Sequence, residues 1–392
     1  GNPHVRFDEG EVAPAATPRR GSLLYRRMKN GRCGWTLGGA LALLVAVGGP
    51  LVAAADGAYD RSLADFPRRA GEADDTARVQ RAVDATTGGI LWFPRGDYLV
   101  SSSIVVSNRC SLLMHKSATL RAMREMPYVL RVRNAGVWDH LDFLCFIRGG
   151  AVDGNGLASC IALEGFWRHS LDDIKILNGK KYGLFVKNGG AEVVAKGLYF
   201  LVRKHGLAGN IGLYLEGGDS HYTDIHVLDY TTGVVVKGPA NRLTRIHVWG
   251  GSLPRRTPDE IPEMLPGSTA FRIEGHSTTL RDCYADTAQT GFDIRGAWEV
   301  RLLGCSFFNN VSFGLNDLLV VRQTGNSGAL LVGDCVFTRS GVNERIRVYE
   351  GNGNVKWRDT IYAGNWSGVS RPDVDGKKSG KLESPNTKLA GY

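Results

Sequence analysis

Tyr222-Thr-Asp-Ile-His-Val-Leu228 returns one repeat later as Leu243-Thr-Arg-Ile-His-Val-Trp249. The pattern extends in both directions: Leu171-Asp-Asp-Ile-Lys-Ile-Leu177 and Ala195-Lys-Gly-Leu-Tyr-Phe-Leu201 before it, Leu280-Arg-Asp-Cys-Tyr-Ala-Asp286, Leu302-Leu-Gly-Cys-Ser-Phe-Phe308 and Val332-Gly-Asp-Cys-Val-Phe-Thr338 after it. Recurrence at about 21–37 residues is the mark of a solenoid. The central residues Ile174, Leu198, Ile225, Ile246, Cys283, Cys305 and Cys335 form one column. Ile176, Phe200, Val227, Val248, Ala285, Phe307 and Phe337 form a second. Alternate residues of a strand share a face, so both columns are expected to point inward.

A second strand follows in each repeat: Gly183-Leu-Phe-Val-Lys187, Gly212-Leu-Tyr-Leu-Glu216, Gly233-Val-Val-Val-Lys237, Ala270-Phe-Arg-Ile-Glu274 and Gly291-Phe-Asp-Ile-Arg295. Its inward residues are Leu184, Leu213, Val234, Phe271 and Phe292, with Val186, Leu215, Val236, Ile273 and Ile294. Its outward end alternates in charge through Lys187, Glu216, Lys237, Glu274 and Arg295, which reads as an ion-pair ladder on the surface. The recurrent Gly suits tight corners. The repeats are too short for crossover helices and carry no hairpin signals, so the strands pair in parallel. A propeller would need about 40–45 residues and four strands per unit. The predicted fold is all-β, a right-handed single-stranded parallel β-helix from about Gly88 to about Gly364, its hand following the crossover rule.

Residues 1–27 are Arg-, Pro- and Gly-rich without apolar period and read as a disordered leader or an over-extended reading frame. Residues 28–55 have a basic start with Lys29 and Arg32, an apolar run from Trp35 to Val52, and Ala53-Ala54-Ala55, the plan of a secretory signal peptide; an uncleaved membrane anchor is the alternative. Residues 56–368 form the β-helix domain, and residues 369–392 a polar, disordered tail. Residues 1–55 hold seven Lys/Arg and three Asp/Glu, which leaves 41 basic and 36 acidic residues, a net of +5. So mild a charge accommodates an acidic polysaccharide and gives no footprint for nucleic acid. The protein is expected to be secreted, extracellular or periplasmic, and off the membrane after signal cleavage, with a homo-oligomer such as a trimer compatible with the fold. Cys283, Cys305 and Cys335 read as a stack of free thiols, and Cys145 with Cys160 as the pair to consider if a disulfide forms. No metal-ligand spacing of the zinc type occurs, and no cofactor is expected.

The segment Gly88-Gly89-Ile-Leu-Trp-Phe-Pro94-Arg-Gly96-Asp-Tyr98-Leu-Val resembles the opening coil of the pectate-lyase-like superfamily. Asp74-Asp75-Thr76 followed by Val79, Ala82 and Val83 resembles the short amphipathic helix that caps such solenoids. Arg148-Gly-Gly-Ala-Val-Asp153-Gly-Asn-Gly156 is similar to a Gly-rich turn of polygalacturonase- and rhamnogalacturonase-like relatives. The resemblance covers roughly residues 65–365 and implies the β-helix fold and carbohydrate chemistry. It does not extend to a reaction type. Of the polygalacturonase set, Asp172-Asp173 is the sole echo; the Gly-His-Gly and Arg-Ile-Lys motifs are missing. Asp153-Gly-Asn-Gly reads as a turn, with calcium as an outside option.

Outward positions flanking the central column concentrate polar and aromatic residues in the middle repeats. Asp224, Asp282, His226, His247 and Asp286 are the catalytic candidates. Arg245, Tyr284, Lys175, Tyr199, Trp249, Asp229 and Tyr230 are the substrate-binding candidates. Carboxylates and imidazoles move protons, aromatic rings stack on sugar faces, and Arg pairs with anionic groups. The plain alternative is a solvated face with cross-strand pairs such as Asp224–Arg245–Asp282. A Pro-rich insertion from Gly250 to Gly267, and a shorter one at Arg203–Gly209, leave the same edge.

The leading expectation is a polysaccharide-degrading glycoside hydrolase. Asp224 and Asp282, two repeats apart and so about 9.6 Å along the axis, would form an inverting pair, with the more buried carboxyl acting as the acid. A polysaccharide lyase using His226 or His247 with Arg245 or Lys175, an inulin-fructotransferase-like enzyme and a non-catalytic carbohydrate-binding β-helix are the alternatives.

Overall fold

The computed structural model describes residues 58–133, 145–165, 168–203, 207, 209–251, 264–309, 317–325, 328–339, 345–351, 353–364, 366, 370–372 and 378–381. The signal-like segment and the leader lie outside the described residues. The described residues from Ile90 to Gly364 form a solenoid of parallel coils. In the fourth coil, His169–Asp172 lies on a first face, Lys175–Leu177 on a second and Tyr182–Val186 on a third. The same order recurs from Ile90 to Gly364, and the third face is a ten-stranded sheet from Ile104–Val106 to Ile346–Gly351. Among the described residues the pairings between coils are parallel, and the inward column of the second face keeps its register: Ile176 faces Phe200, Phe200 faces Val227, Val227 faces Val248 and Val248 faces Ala285.

The seven-residue unit is in most coils two short strands meeting at a bend, while His221–Tyr230 and Arg242–Gly250 each continue through it as one strand. The bend residues are Asp173, Gly197, Asp224, Arg245, Asp282, Gly304, Asp334 and Asp359, and all have φ between 49° and 66°. Gly and Asp enter this left-handed region at low cost. One such residue breaks the two-residue alternation, so Leu171 and Ile174, three apart, both face inward and are buried. The expected columns of Ile174 and Ile176 are buried along their whole length, as are Leu184, Leu213, Val234, Phe271 and Phe292. Phe271 and Phe292 stack at 5.3 Å between ring centres. A buried side chain of this size contributes about 1.5–3 kcal/mol.

The glycines that open the third-face strands are needed for a reason other than corner freedom. A Cβ on Gly212 would lie 2.4 Å from Val227 Cγ1, and one on Gly233 2.3 Å from Val248 Cγ1. Close approach of the second face leaves no room for a methyl group. The charge ladder is realised in part. Lys237 Nζ lies 3.7 Å from Glu274, whereas Arg295 turns to the buried Asp293 at 2.6 Å. The local partner wins because it is nearer and desolvated.

The helix Thr76–Ala85 closes the first coil with Val79, Ala82 and Val83 buried. Asp75 ties it down, accepting hydrogen bonds from Arg68 and from the Leu99 amide at 3.0 Å. Among the described residues no helix is long and apolar enough to cross a membrane. Within the tail, Ser370–Pro372 pairs antiparallel with Lys378–Lys381.

Cys283, Cys305 and Cys335 stand as buried free thiols in consecutive coils, donating to the Leu243, Leu280 and Leu302 carbonyls of the coil before. Cys145 and Cys160 do not meet. Cys145 on the first face donates to Cys110 O at 3.0 Å, and Cys160 on the third donates to Leu177 O at 3.1 Å. The Asp153 turn is held by its own carboxylate. That group accepts from Arg121 Nε at 3.0 Å, from the Asn155 amide at 2.8 Å and from Asn178 Nδ2 at 3.0 Å.

Two stability predictions follow from this architecture. Asp282→Asn keeps a residue that tolerates the left-handed bend and should leave stability unchanged, whereas Asp282→Val should lose about 1–2 kcal/mol in chemical denaturation. His169 is buried, neither ring nitrogen has a partner among the described residues, and burial depresses its pKa to about 4. The unfolded chain therefore binds a proton that the folded one refuses. Stability should fall as pH drops from the usual imidazole value near 6.5 towards 4, by on the order of 3 kcal/mol for this group. His169→Leu should flatten that slope in thermal melts across the same window.

Candidate functional site

The second face carries the site. Its outward column runs Lys175, Tyr199, His226, His247, Tyr284 and Ser306, one residue per coil in strict register. A parallel column, two residues further along each strand, brings Leu228, Trp249, Asp286 and Phe308 side by side. The alternation that buries Ile225, Val227, Ile246 and Val248 forces His226 and His247 outward.

The rings form a continuous row, tilted between Tyr199 and His226, edge-on between His226 and His247, and stacked only between His247 and Tyr284. Centres are 6.2 Å apart for Tyr199 and His226, 5.5 Å for His226 and His247, and 4.6 Å for His247 and Tyr284, the last pair nearly parallel at 15°. Asp286, only 7% exposed, lies 3.2 Å from His247 Nε2 through Oδ2. Its other oxygen accepts from Thr287 Oγ1 at 2.7 Å. With Asp286 as acceptor, His247 donates through Nε2 and keeps Nδ1 for a proton. Burial, and then the neighbouring His247, hold His226 below the usual imidazole range. Burial, and then the Asp286 charge, hold the Tyr284 phenol above its usual range. The column thus sets a neutral imidazole, an oriented imidazole and a protonated phenol in sequence.

Asp224 and Asp282 occupy the bend column, on the edge between first and second faces. Asp224 is paired on both oxygens with Arg245, at 2.6 Å from Nε and 2.9 Å from Nη2, and this contact holds its carboxyl below the usual carboxylate range. Its side chain is 39% exposed and Asp282 is exposed, so the burial expected to keep one of the two protonated is not there. Arg245 is the exception in a column of Asp and Gly, and its bidentate contact offsets the cost of its backbone conformation.

Of the remaining candidates, Lys175 is exposed at one end of the column, Tyr199 is 37% exposed, and Trp249 is partly buried beside Asp286. Tyr230 is no part of the surface. Asp229 adopts φ 64°, the register shifts between Leu228 and Tyr230, and Tyr230 turns fully inward against Phe200. Simple alternation placed it outside; the Asp at 229, like the Asp residues of the bend, is the signal that alternation breaks there. Thr287, which fixes the Asp286 carboxylate, was not singled out from sequence, because a lone Thr after a strand carries no pattern. Residues 252–263 of the Pro-rich insertion, and residues 204–206 and 208 of the shorter one, lie outside the described residues.

No protein-family model matches the sequence, and no curated protein does. Solved structures share the fold. The ORF18 protein of Geobacillus virus E2 aligns over 81% of this chain with a TM-score of 0.57 and 18% identity; this chain spans 62% of that protein. The A-module of the Azotobacter vinelandii mannuronan C-5 epimerase AlgE4 aligns over 78% of this chain and 96% of its own, with a TM-score of 0.52 and 16% identity. The A-module of AlgE6 from the same organism gives 0.52 and 12% over 78% of this chain and 100% of its own. At these identities the likeness concerns architecture, and it agrees with the coil-by-coil register: the chain folds as a parallel β-helix.

Proposed function

We propose that the protein is an exported polysaccharide-acting enzyme whose second face abstracts a proton from a uronate unit and cleaves the chain by β-elimination. The observation that carries this reading is the contact between His247 and Asp286. The one nearly buried carboxylate in the column is spent on orienting an imidazole, and the groups left to face a substrate are imidazoles and a phenol. Glycoside hydrolysis by the common route needs two carboxyl groups flanking the bond. Removing a proton next to a carboxylate needs a base and an acid for the leaving oxygen, the roles proposed for His247 and Tyr284.

In this reading His247 Nδ1 takes the proton on C5 and Asp286 stabilises the imidazolium that forms. His226, held neutral, keeps a second positive charge out of the column. Tyr284 hands its phenolic proton to the departing oxygen. Arg245 spends Nε and Nη2 on Asp224 and Thr223, and its Nη1 is the group proposed to meet the uronate carboxylate. Tyr199 and Trp249 offer ring surface for neighbouring sugars. The mannuronan epimerase modules sharing the fold act, by their name, at C5 of a uronate polymer, which is consistent with the same first proton transfer.

The test is a panel of acidic polysaccharides followed by both ultraviolet absorbance of unsaturated products and reducing ends. Elimination produces the two together. New reducing ends without absorbance would mean hydrolysis and end this reading. His247→Gln, Tyr284→Phe and Asp286→Asn should each lower kcat by roughly 10²–10⁴-fold, while Asp224→Asn, outside the column, should cost far less.

A further inference from the structure

We infer that the reacting unit is a uronate whose C5 hydrogen and C4 oxygen lie on the same side of the sugar ring, as in D-glucuronate and D-mannuronate, and that elimination is syn. The inference rests on the proton-abstraction reading of the second face and concerns where base and acid stand relative to the sugar. His226, His247 and Tyr284 project from one sheet face in consecutive coils. Base and acid are stacked nearly parallel with centres 4.6 Å apart. A sugar resting on this column presents a single ring face to both. Among the described residues, no titratable group of the cluster stands across from it: Asp286 lies on the same strand as Tyr284, and Trp249 on the same strand as His247.

Stereochemistry then follows from the single wall. The base on that wall removes the C5 proton from the ring face that rests on it. The C–H electron pair becomes the C4–C5 double bond, the C4–O bond breaks, and its electrons stay on the leaving oxygen, which takes the Tyr284 proton. The net change is one glycosidic bond replaced by one double bond and one hydroxyl, with no water or cofactor consumed. Tyr284 reaches that oxygen only if the C4–O bond lies on the face from which the proton left. In D-galacturonate and L-guluronate the C5 hydrogen and C4 oxygen lie on opposite faces, and a one-sided pair would leave the departing oxygen without its acid. Loss of a positioned acid costs on the order of 10²-fold or more.

The experiment compares four polymers: polyglucuronate and polymannuronate, with the two groups on one side, and polygalacturonate and polyguluronate, with them on opposite sides. Initial rates are read by the absorbance of the unsaturated product. The expected result is a kcat/KM at least about 10²-fold higher on the first two, a preference reduced in Tyr284→Phe. Equal or greater rates on polygalacturonate or polyguluronate would overturn the single-wall inference while leaving elimination standing. Inversion at C5 without cleavage, seen by NMR in deuterated water, would also overturn it, since the returning proton would have come from the other face. Absence of unsaturated product from all four polymers would overturn the proton-abstraction reading itself, and this inference with it.

Discussion

A left-handed residue at the same point of eight consecutive coils is the constraint on which the rest of the structure depends. Asp173, Gly197, Asp224, Arg245, Asp282, Gly304, Asp334 and Asp359 each turn the chain between first and second faces. Parallel stacking requires that every coil turn at the same place, because a coil that turned one residue late would expose one apolar column and bury an outward one. The register is unbroken across the bend: Leu243 meets Leu280 on one side of it and Val248 meets Ala285 on the other. The bend column and the apolar columns therefore support each other, one setting the geometry and the other supplying the burial.

This arrangement gives the polar residues their meaning. Asp is well suited to left-handed backbone, so Asp224 and Asp282 have a structural reason to be where they are. No such reason applies to His226, His247 and Tyr284, which sit on strands at outward positions where many side chains would fit, and which form a row of titratable rings. Asp286 also lies on a regular strand, yet it is nearly buried between Trp249 and Phe308 and reaches a histidine of the coil before. A buried carboxylate spends solvation energy, and pairing with imidazole and the Thr287 hydroxyl is what compensates it.

Polar groups elsewhere in the solenoid serve the coils themselves. Asp75 holds the capping helix, Asp153 holds a turn, and the thiols of Cys283, Cys305 and Cys335 cap carbonyls of the preceding coil while filling the core as small apolar groups. His169 differs: it is buried without a partner among the described residues, and it links folding to mild acid.

The sequence by itself determined the solenoid, the parallel register, the inward columns and the capping helix, because each is a repeating pattern and stacking reads patterns coil by coil. It also placed His226, His247, Tyr284 and Asp286 among the candidates, since alternation assigns a face to each. Tertiary structure alone decided which of them touch. The His247–Asp286 contact joins residues 39 apart in the chain, and a diagonal step between coils leaves no trace in either strand. Local backbone decided the rest. Left-handed φ at Asp229 carried Tyr230 from the surface to the core, and the same conformation at residues 224 and 282 gave two carboxylates a structural purpose that their charge had concealed.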